Sequence, residues 1–287
     1  MDEYRSANLS LWRELVAVHA ESTEYDLAGF IQGKSSLRSV ELTELSDLNG
    51  QSVLHLMCHF GLDSMSLARA GAHVTGVDYA PEAIALARKL SKQVGVKARF
   101  VCSDVYDLPN KLKGKFDMVF ISYGVLAWLP DLNKWAAVIA RFLKPGGFFY
   151  IVELHPTTLL FADNADGSGI VATQAQAANP RLVPVHGSYA DRTVKLTQPV
   201  KYKWQHTTAD ILNSLMQAGL RLEFFHEFPF CSFQKFACME KGSDDWWRFP
   251  EGIAPGVPLL FSLRAAKPHS PRRKRVARAR RSGSGAT

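Results

Sequence analysis

An aspartate, a turn bearing a glycine and a few titratable side chains stand out as the residues able to do chemistry. Ser52 to Pro81, SVLHLMCHFGLDSMSLARAGAHVTGVDYAP, reads as strand, tight turn, helix, strand and then a carboxylate. Asp78 closes the apolar run Val74–Val77. At the end of the second strand of a βαβ unit, an acidic residue can take ribose hydroxyls while the first turn holds the rest of a cofactor. Gly61 lies in that turn, and Asp63 and Ser64 supply helix-start chemistry after it. Farther along, Glu153 and His155 end another apolar run, and His206 sits in WQHTTAD. Histidine titrates in the range useful to a general base. A histidine at a strand end also serves as plain structure, and Glu153 reads equally as a buried, hydrogen-bonded carboxylate.

The elements that must position these groups follow from periodicity. Strands are expected near 52–57, 73–77, 98–102, 117–121 and 147–153, with helices over 63–70, 81–94 and 132–143. Pro81 fits a first helical position, where its missing N–H costs nothing. Such alternation predicts a parallel α/β sheet with right-handed crossovers. Upstream, Asn8–Ala20 is an amphipathic helix and Phe30–Leu37 a loop. Downstream, Thr157–His206 breaks the rhythm: a Gly/Ala/Asn/Asp-rich stretch, then short strands at Val194–Thr197 and Val200–Gln205. Inserted there, it would lie above the carboxyl ends of the strands as a substrate cap. Thr207–Ala218 is helical, with Thr207 or Thr208 as its N-cap. Leu220–Phe228 and Pro258–Ala265 are strands flanking an aromatic loop that holds Phe228, Phe230, Phe233, Phe236, Trp246, Trp247 and Phe249.

Four segments carry a family resemblance: GVDYAPEAIALARK (Gly76–Lys89), FVCSDVYDLP (Phe100–Pro109), FDMVFISYGVLAWLPD (Phe116–Asp131) and LKPGGFFYIVE (Leu143–Glu153). In order and spacing they resemble the class I S-adenosylmethionine-dependent methyltransferases, small-molecule type, over about Asp47 to Pro156. The first loop, VLHLMCHFG, is atypical. His55 stands at the usual acidic position, Met57 and His59 at two usual glycine positions, and only Gly61 is kept. The resemblance implies a Rossmann-like, doubly wound, seven-stranded sheet whose final hairpin contains one antiparallel strand. It implies a division into an N-terminal helical lid (1–46), a cofactor-binding core (47–156), an inserted cap (157–206), completion of the sheet (207–265) and a basic tail (266–287).

It also implies roles. Asp78 would bind the ribose of S-adenosyl-L-methionine and Tyr79 would pack beside the adenine. Asp104 would accept the exocyclic amine, with Val105 donating a backbone N–H; Asp104 as a mere turn residue is the other reading. Gly61 gives backbone access, Met57 and His59 are loop neighbours, and Asp63 joins the cofactor set. Ser122 and Tyr123 lie at the edge of strand four, near the reactive methyl. Among lid residues Trp12, His19, Tyr25 and Phe30, core packing is favoured for Trp12 and both readings stand for Tyr25. An acceptor such as a phenol, an indole nitrogen or an enolisable carbon can require a base, for which His155, His206, Glu153 and Tyr123 are the candidates. ISYG at Ile121–Gly124 replaces the motif used on exocyclic amines of DNA bases, and the carboxylate-rich site of metal-dependent catechol enzymes is not found in the sequence. No metal is expected. The aromatic loop points to a small, flat acceptor, or else is plain core.

Composition sets the remaining bounds. Hydrophobic content of 47% is ordinary, and no apolar run reaches the roughly 18 residues that cross a bilayer. MDEYRSANLS resembles no secretory signal, and the four cysteines show no zinc spacing. A cytoplasmic protein, monomer or homodimer, is expected. Residues 266–287 hold eight basic residues and no acids; removing these eight from the 34 leaves 26 against 27 acidic, a body at −1. The tail is expected to be disordered and to be the one route to nucleic acid. Two competing readings remain: an RNA or protein methyltransferase recruited by that tail, and a cofactor-binding scaffold that has lost catalysis.

Overall fold

The computed structural model of the chain describes residues 3–45, 47–173 and 179–269. Three helices precede the sheet: α1 (Glu3–Glu21), α2 (Leu27–Ile31) and α3 (Ser39–Glu44). Then β1 (Ser52–Leu56), α4 (Leu62–Arg69), β2 (His73–Asp78), α5 (Pro81–Gln93), β3 (Arg99–Cys102), α6 (Leu108–Lys111), β4 (Phe116–Ser122), α7 (Leu132–Phe142) and β5 (Leu143–Leu154) alternate. Two hairpins follow, β6 (Phe161–Asp163) with β7 (Ile170–Ala172) and β8 (Arg181–Pro184) with β9 (Val200–Lys203). The chain continues through α8 (Thr208–Gln217), β10 (Arg221–Phe228), the short pair β11 (Glu240–Lys241) and β12 (Trp247–Arg248), and β13 (Leu260–Ala266).

The central sheet has seven strands in the order β10-β13-β5-β4-β1-β2-β3. β13 runs antiparallel to both neighbours, and the pairs among β1 to β5 are parallel. This is the expected doubly wound sheet with its one reversed strand. Alternation of side chains explains why the middles of the strands are largely apolar. Val119 and Ile121 of β4 pack with Trp135 and Ile139 of α7, while Met118 and Phe120 face the other way, into the cluster holding Leu67 of α4. Covered on both faces, a parallel strand favours apolar residues, and the polar side chains that do enter, His55, Asp78 and Glu153, are held by hydrogen bonds. Each such side chain contributes about 1.5–3 kcal/mol when fully buried.

Helix ends follow local chemistry. Asp131 accepts the Lys134 N–H at 2.9 Å to start α7. Thr207, rather than Thr208, caps α8 in a reciprocal box with Asp210.

Three expectations are corrected. α1 begins at Glu3, earlier than Asn8. The expected loop at Phe30–Leu37 starts inside α2, which Asp26 caps through the Gly29 N–H, and α3 follows it. Val194–Thr197 is not a strand: Thr197 gives its N–H and hydroxyl to Glu14 of α1, at 2.7 and 2.6 Å, instead of to a sheet partner. Residues 174–178 of the Gly/Ala/Asn/Asp-rich stretch and 270–287 of the basic tail lie outside the described residues.

Candidate active site

The loop after β1 is built on left-handed backbone. Met57, His59 and Gly61 have φ of 56°, 51° and 78°. The three positions that ordinarily carry glycine thus keep a glycine-like conformation, although two of them bear side chains. Holding a non-glycine residue there costs on the order of 1–3 kcal/mol. Only Gly61 is irreplaceable by contact, because a Cβ would lie 2.5 Å from the Phe100 ring. The loop is lashed to β2: His59 N–H donates to Asp78 Oδ2 and Ala80 N–H to Oδ1, both at 2.9 Å. Burial pushes the Asp78 carboxyl up to about 6, against the pull of those N–H groups.

His55, at the usual acidic position, is buried with Nδ1 2.8 Å from the Ser64 hydroxyl. Burial drops it to about 3, so it is neutral and supplies no charge. The nearby carboxylate is Asp63, which accepts hydroxyl bonds from Ser36 at 2.6 Å and Ser122 at 2.7 Å. Tyr123, itself at φ 43°, donates its hydroxyl to Glu41 at 2.7 Å. Glu41 is fully buried, and burial, with Asp63 adding to it, raises its carboxyl to about 8.

The four candidate bases separate clearly. Glu153 accepts four backbone N–H bonds, from Gly124 and Leu154 on Oε1 and from Val125 and Leu126 on Oε2, at 2.6–3.0 Å. It holds the turn after β4. His155 caps the next turn: its Nδ1 accepts the Thr157 N–H at 3.1 Å. Its Nε2 lies 2.9 Å from Glu227, within ion-pair reach but not aligned as a hydrogen bond. The Tyr123 hydroxyl is spent on Glu41. In His206, Nε2 is 2.7 Å from the Leu129 carbonyl, which can only accept, so Nε2 carries the proton. Its Nδ1 lone pair has no partner among the described residues, and burial lowers the ring's pKa.

These residues meet in one cavity of about 670 Å³. Tyr25, Met57, His59, Gly61, Asp63, Asp78, Tyr79, Ser122, Tyr123, Glu153, His155 and His206 all line it. Asp104 and Val105 do not. The Asp104 carboxylate is taken by the Arg5 guanidinium of α1 and by the Tyr106 N–H at 2.8 Å, and Val105 is buried in the core. Of the aromatic loop, Phe233 alone among the seven named residues lines the cavity. Phe230 packs on Phe228 and Trp246, and Phe236 on Phe249, so most of that loop is core. Among the described residues no group of three or more His, Cys, Asp or Glu side chains is placed to hold a metal.

Helix α1, the loop after β1 and the segment between β8 and β9 meet beside the cavity. His19 of α1 bridges His59, at 3.0 Å, and Ser188, at 2.8 Å. The Tyr25 and Tyr189 hydroxyls bond to each other, and Trp12 meets His59 and Trp128 edge-on at 5.3 Å. Sequence reasoning missed Ser188, which bonds His19, and four residues that line the cavity, Ser36, Arg181, Lys203 and Lys235. The alternation Lys201-Tyr202-Lys203 was the available signal for the cations.

A family model described as "Methyltransferase domain" matches residues 53–147. A ubiquinone biosynthesis O-methyltransferase of Xanthomonas euvesicatoria pv. vesicatoria is 36% identical over 177 residues, 62% of this chain and 65% of that protein. One of Bordetella avium is 35% identical over 129 residues, 44% of this chain and 53% of that protein. The chain thus spans about half to two thirds of these curated relatives. A solved S-adenosylmethionine-dependent methyltransferase from Mesorhizobium loti superposes with a TM-score of 0.54 at 20% identity, covering 82% of this chain and 99% of that one. One from Methanosarcina mazei gives 0.52 at 18%, with coverage of 82% and 99%.

Proposed function

Proceeding from the likeness to the class I S-adenosylmethionine-dependent methyltransferases, which the matched domain and the sheet order support, we propose that the chain methylates a hydroxyl oxygen of a small aromatic acceptor. The observation that carries this reading is the continuity of one cavity from Asp78 to the unpartnered Nδ1 of His206. The names of the curated relatives favour oxygen over nitrogen or carbon.

The residues fit the cofactor. Left-handed backbone at Met57, His59 and Gly61 preserves the loop shape, and Asp78 presents a carboxylate oriented by two N–H bonds at the end of β2. When bound, S-adenosylmethionine supplies an electrophilic methyl group. Asp78 then holds ribose hydroxyls, Tyr79 packs beside the adenine, and Asp63 replaces the missing acid of β1 as counter-charge to the methionine ammonium. Rate comes from alignment in a water-poor pocket, which Trp12, Tyr25 and Tyr189 close from above. His206 Nδ1 takes the proton of the acceptor hydroxyl, while Leu129 fixes its tautomer. His155 and Glu153 hold the floor rather than move protons.

The test is a calorimetric titration with S-adenosylmethionine, followed by a screen of hydroxylated aromatics with labelled methyl donor. Label in a methyl ether supports the proposal. Cofactor binding without turnover of any acceptor supports the scaffold reading, and label in RNA or protein the recruited one.

A further inference from the structure

We infer that the acceptor carries an anionic group, a carboxylate or a phosphate ester, held by Arg181, Lys203 and Lys235 in the roof of the cavity. This deepens the proposed function and rests on it. The β8–β9 hairpin places Arg181 directly opposite Lys203, with Lys201 two residues along the same strand. Like charges directly opposite on one face destabilise a hairpin, and a two-stranded piece has little stability to lose. Lys235 reaches the same cavity from the loop after β10. Among the described residues these four cations make no ion pair, whereas Arg13 pairs with Glu82 and Arg264 with Glu223 elsewhere.

Solvation does not explain the cluster. Lys203 is brought down to about 7 by burial, with Lys201, Lys235 and Arg181 adding to it, and burial lowers Lys235 as well. Freely hydrated ammonium groups are not shifted in this way. Glu153 is the carboxylate that opposes the shift of Lys203, and its oxygens are committed to four backbone N–H groups. The Lys203 ammonium instead rests 5.1 Å from the Trp128 ring centre. A desolvated cation without a counter-charge is costly. An anion on the acceptor supplies that charge, and Trp128 beside it gives a flat face for a ring.

The experiment measures binding to the full chain loaded with S-adenosylhomocysteine. The probes are hydroxybenzoate, hydroxyphenyl phosphate and neutral hydroxybenzamide. At least one anion should bind ten times or more tighter than the amide, and which one does so separates carboxylate from phosphate. That preference should fall with added NaCl in the wild type. It should be lost in an Arg181→Gln/Lys203→Met variant whose S-adenosylhomocysteine affinity is unchanged. Without ligand, Lys203→Met should raise the melting temperature, because it relieves repulsion; a structural lysine would lower it. Equal binding of amide and anions, binding of none of the three, an anion preference that survives the double substitution, or a lower melting temperature for Lys203→Met would overturn the inference. Failure of S-adenosylhomocysteine itself to bind would overturn the proposed function instead, and is read separately.

Discussion

Asp78 and Lys203 line the same cavity on opposite terms. Asp78 ends β2, held between β1 and β3 in a seven-stranded sheet, and both its oxygens are satisfied by backbone N–H groups before any ligand arrives. Lys203 ends a strand of a two-stranded hairpin, faces Arg181, and has no carboxylate in contact among the described residues. In the function proposed here the cofactor half is thus complete in itself, and the acceptor half is complete only with the anionic group inferred above. A site that must accept one invariant cofactor can be rigid and self-satisfied. A site that selects an acceptor gains discrimination by leaving charges for that acceptor to answer.

The largest effect expected falls between these two halves. His206→Gln should lower kcat by ~10²–10⁴, the usual cost of losing a general base, with cofactor affinity unchanged. The acidic limb of the pH profile, set below the ordinary histidine value by burial, should vanish with it. His155→Gln should keep that limb and show its cost in stability, because its ring nitrogens are engaged by Thr157 and Glu227.

Next in size, Asp78→Ala should weaken S-adenosylmethionine binding by about 1.5–3 kcal/mol, the scale of hydrogen bonds to a charged group. The ribose requires the ionised carboxylate, so wild-type affinity should fall as pH drops through about 6 and the variant should show no such dependence. Calorimetry across pH 5 to 8 measures both.

A smaller effect is expected at Glu41, which accepts the Tyr123 hydroxyl. Its folded-state carboxyl, raised to about 8, contributes stability that is full below the usual 4.5 and is lost as pH rises through 8. Glu41→Gln keeps an acceptor for Tyr123 and should gain on the order of 1–2 kcal/mol at pH 8 but little at pH 4.5. His19 and His55, lowered to about 4 and 3, act in the opposite sense. Their contribution is present above 6.5 and is lost as pH falls through those values, so urea midpoints should be compared at matched pH. Smallest of all, Met57→Gly should change stability by less than about 1 kcal/mol. Relief of left-handed strain is offset by the extra freedom of glycine in the unfolded chain.

The same contrast explains what was legible in the sequence. Strands β1 to β5 are covered on both faces, so their apolar runs mark them wherever the loops lead. The first loop looked damaged because residue types were compared, while the left-handed backbone at Met57 and His59 is what endures. The partner of Asp104 could not be read locally, because Arg5 lies 99 residues away. Helix α3 has no side-chain N-cap bond to announce it, and Thr197 is claimed by Glu14 from 183 residues away. The cation cluster depends on the register that sets Arg181 against Lys203 across a long intervening loop. No local pattern encodes such a register, and part of that loop is held by Glu14 of α1, far away in sequence.

The central claim is that this cavity joins a methyl donor to an acceptor hydroxyl. Turnover with carbon-13-methyl-labelled S-adenosylmethionine and hydroxylated aromatic acids, followed by NMR of the products, tests it most directly. The account predicts the label in a methoxy group, formed by the wild type and reduced at least a hundredfold in His206→Gln. Label on nitrogen or carbon, or bound donor with no labelled product, would contradict it.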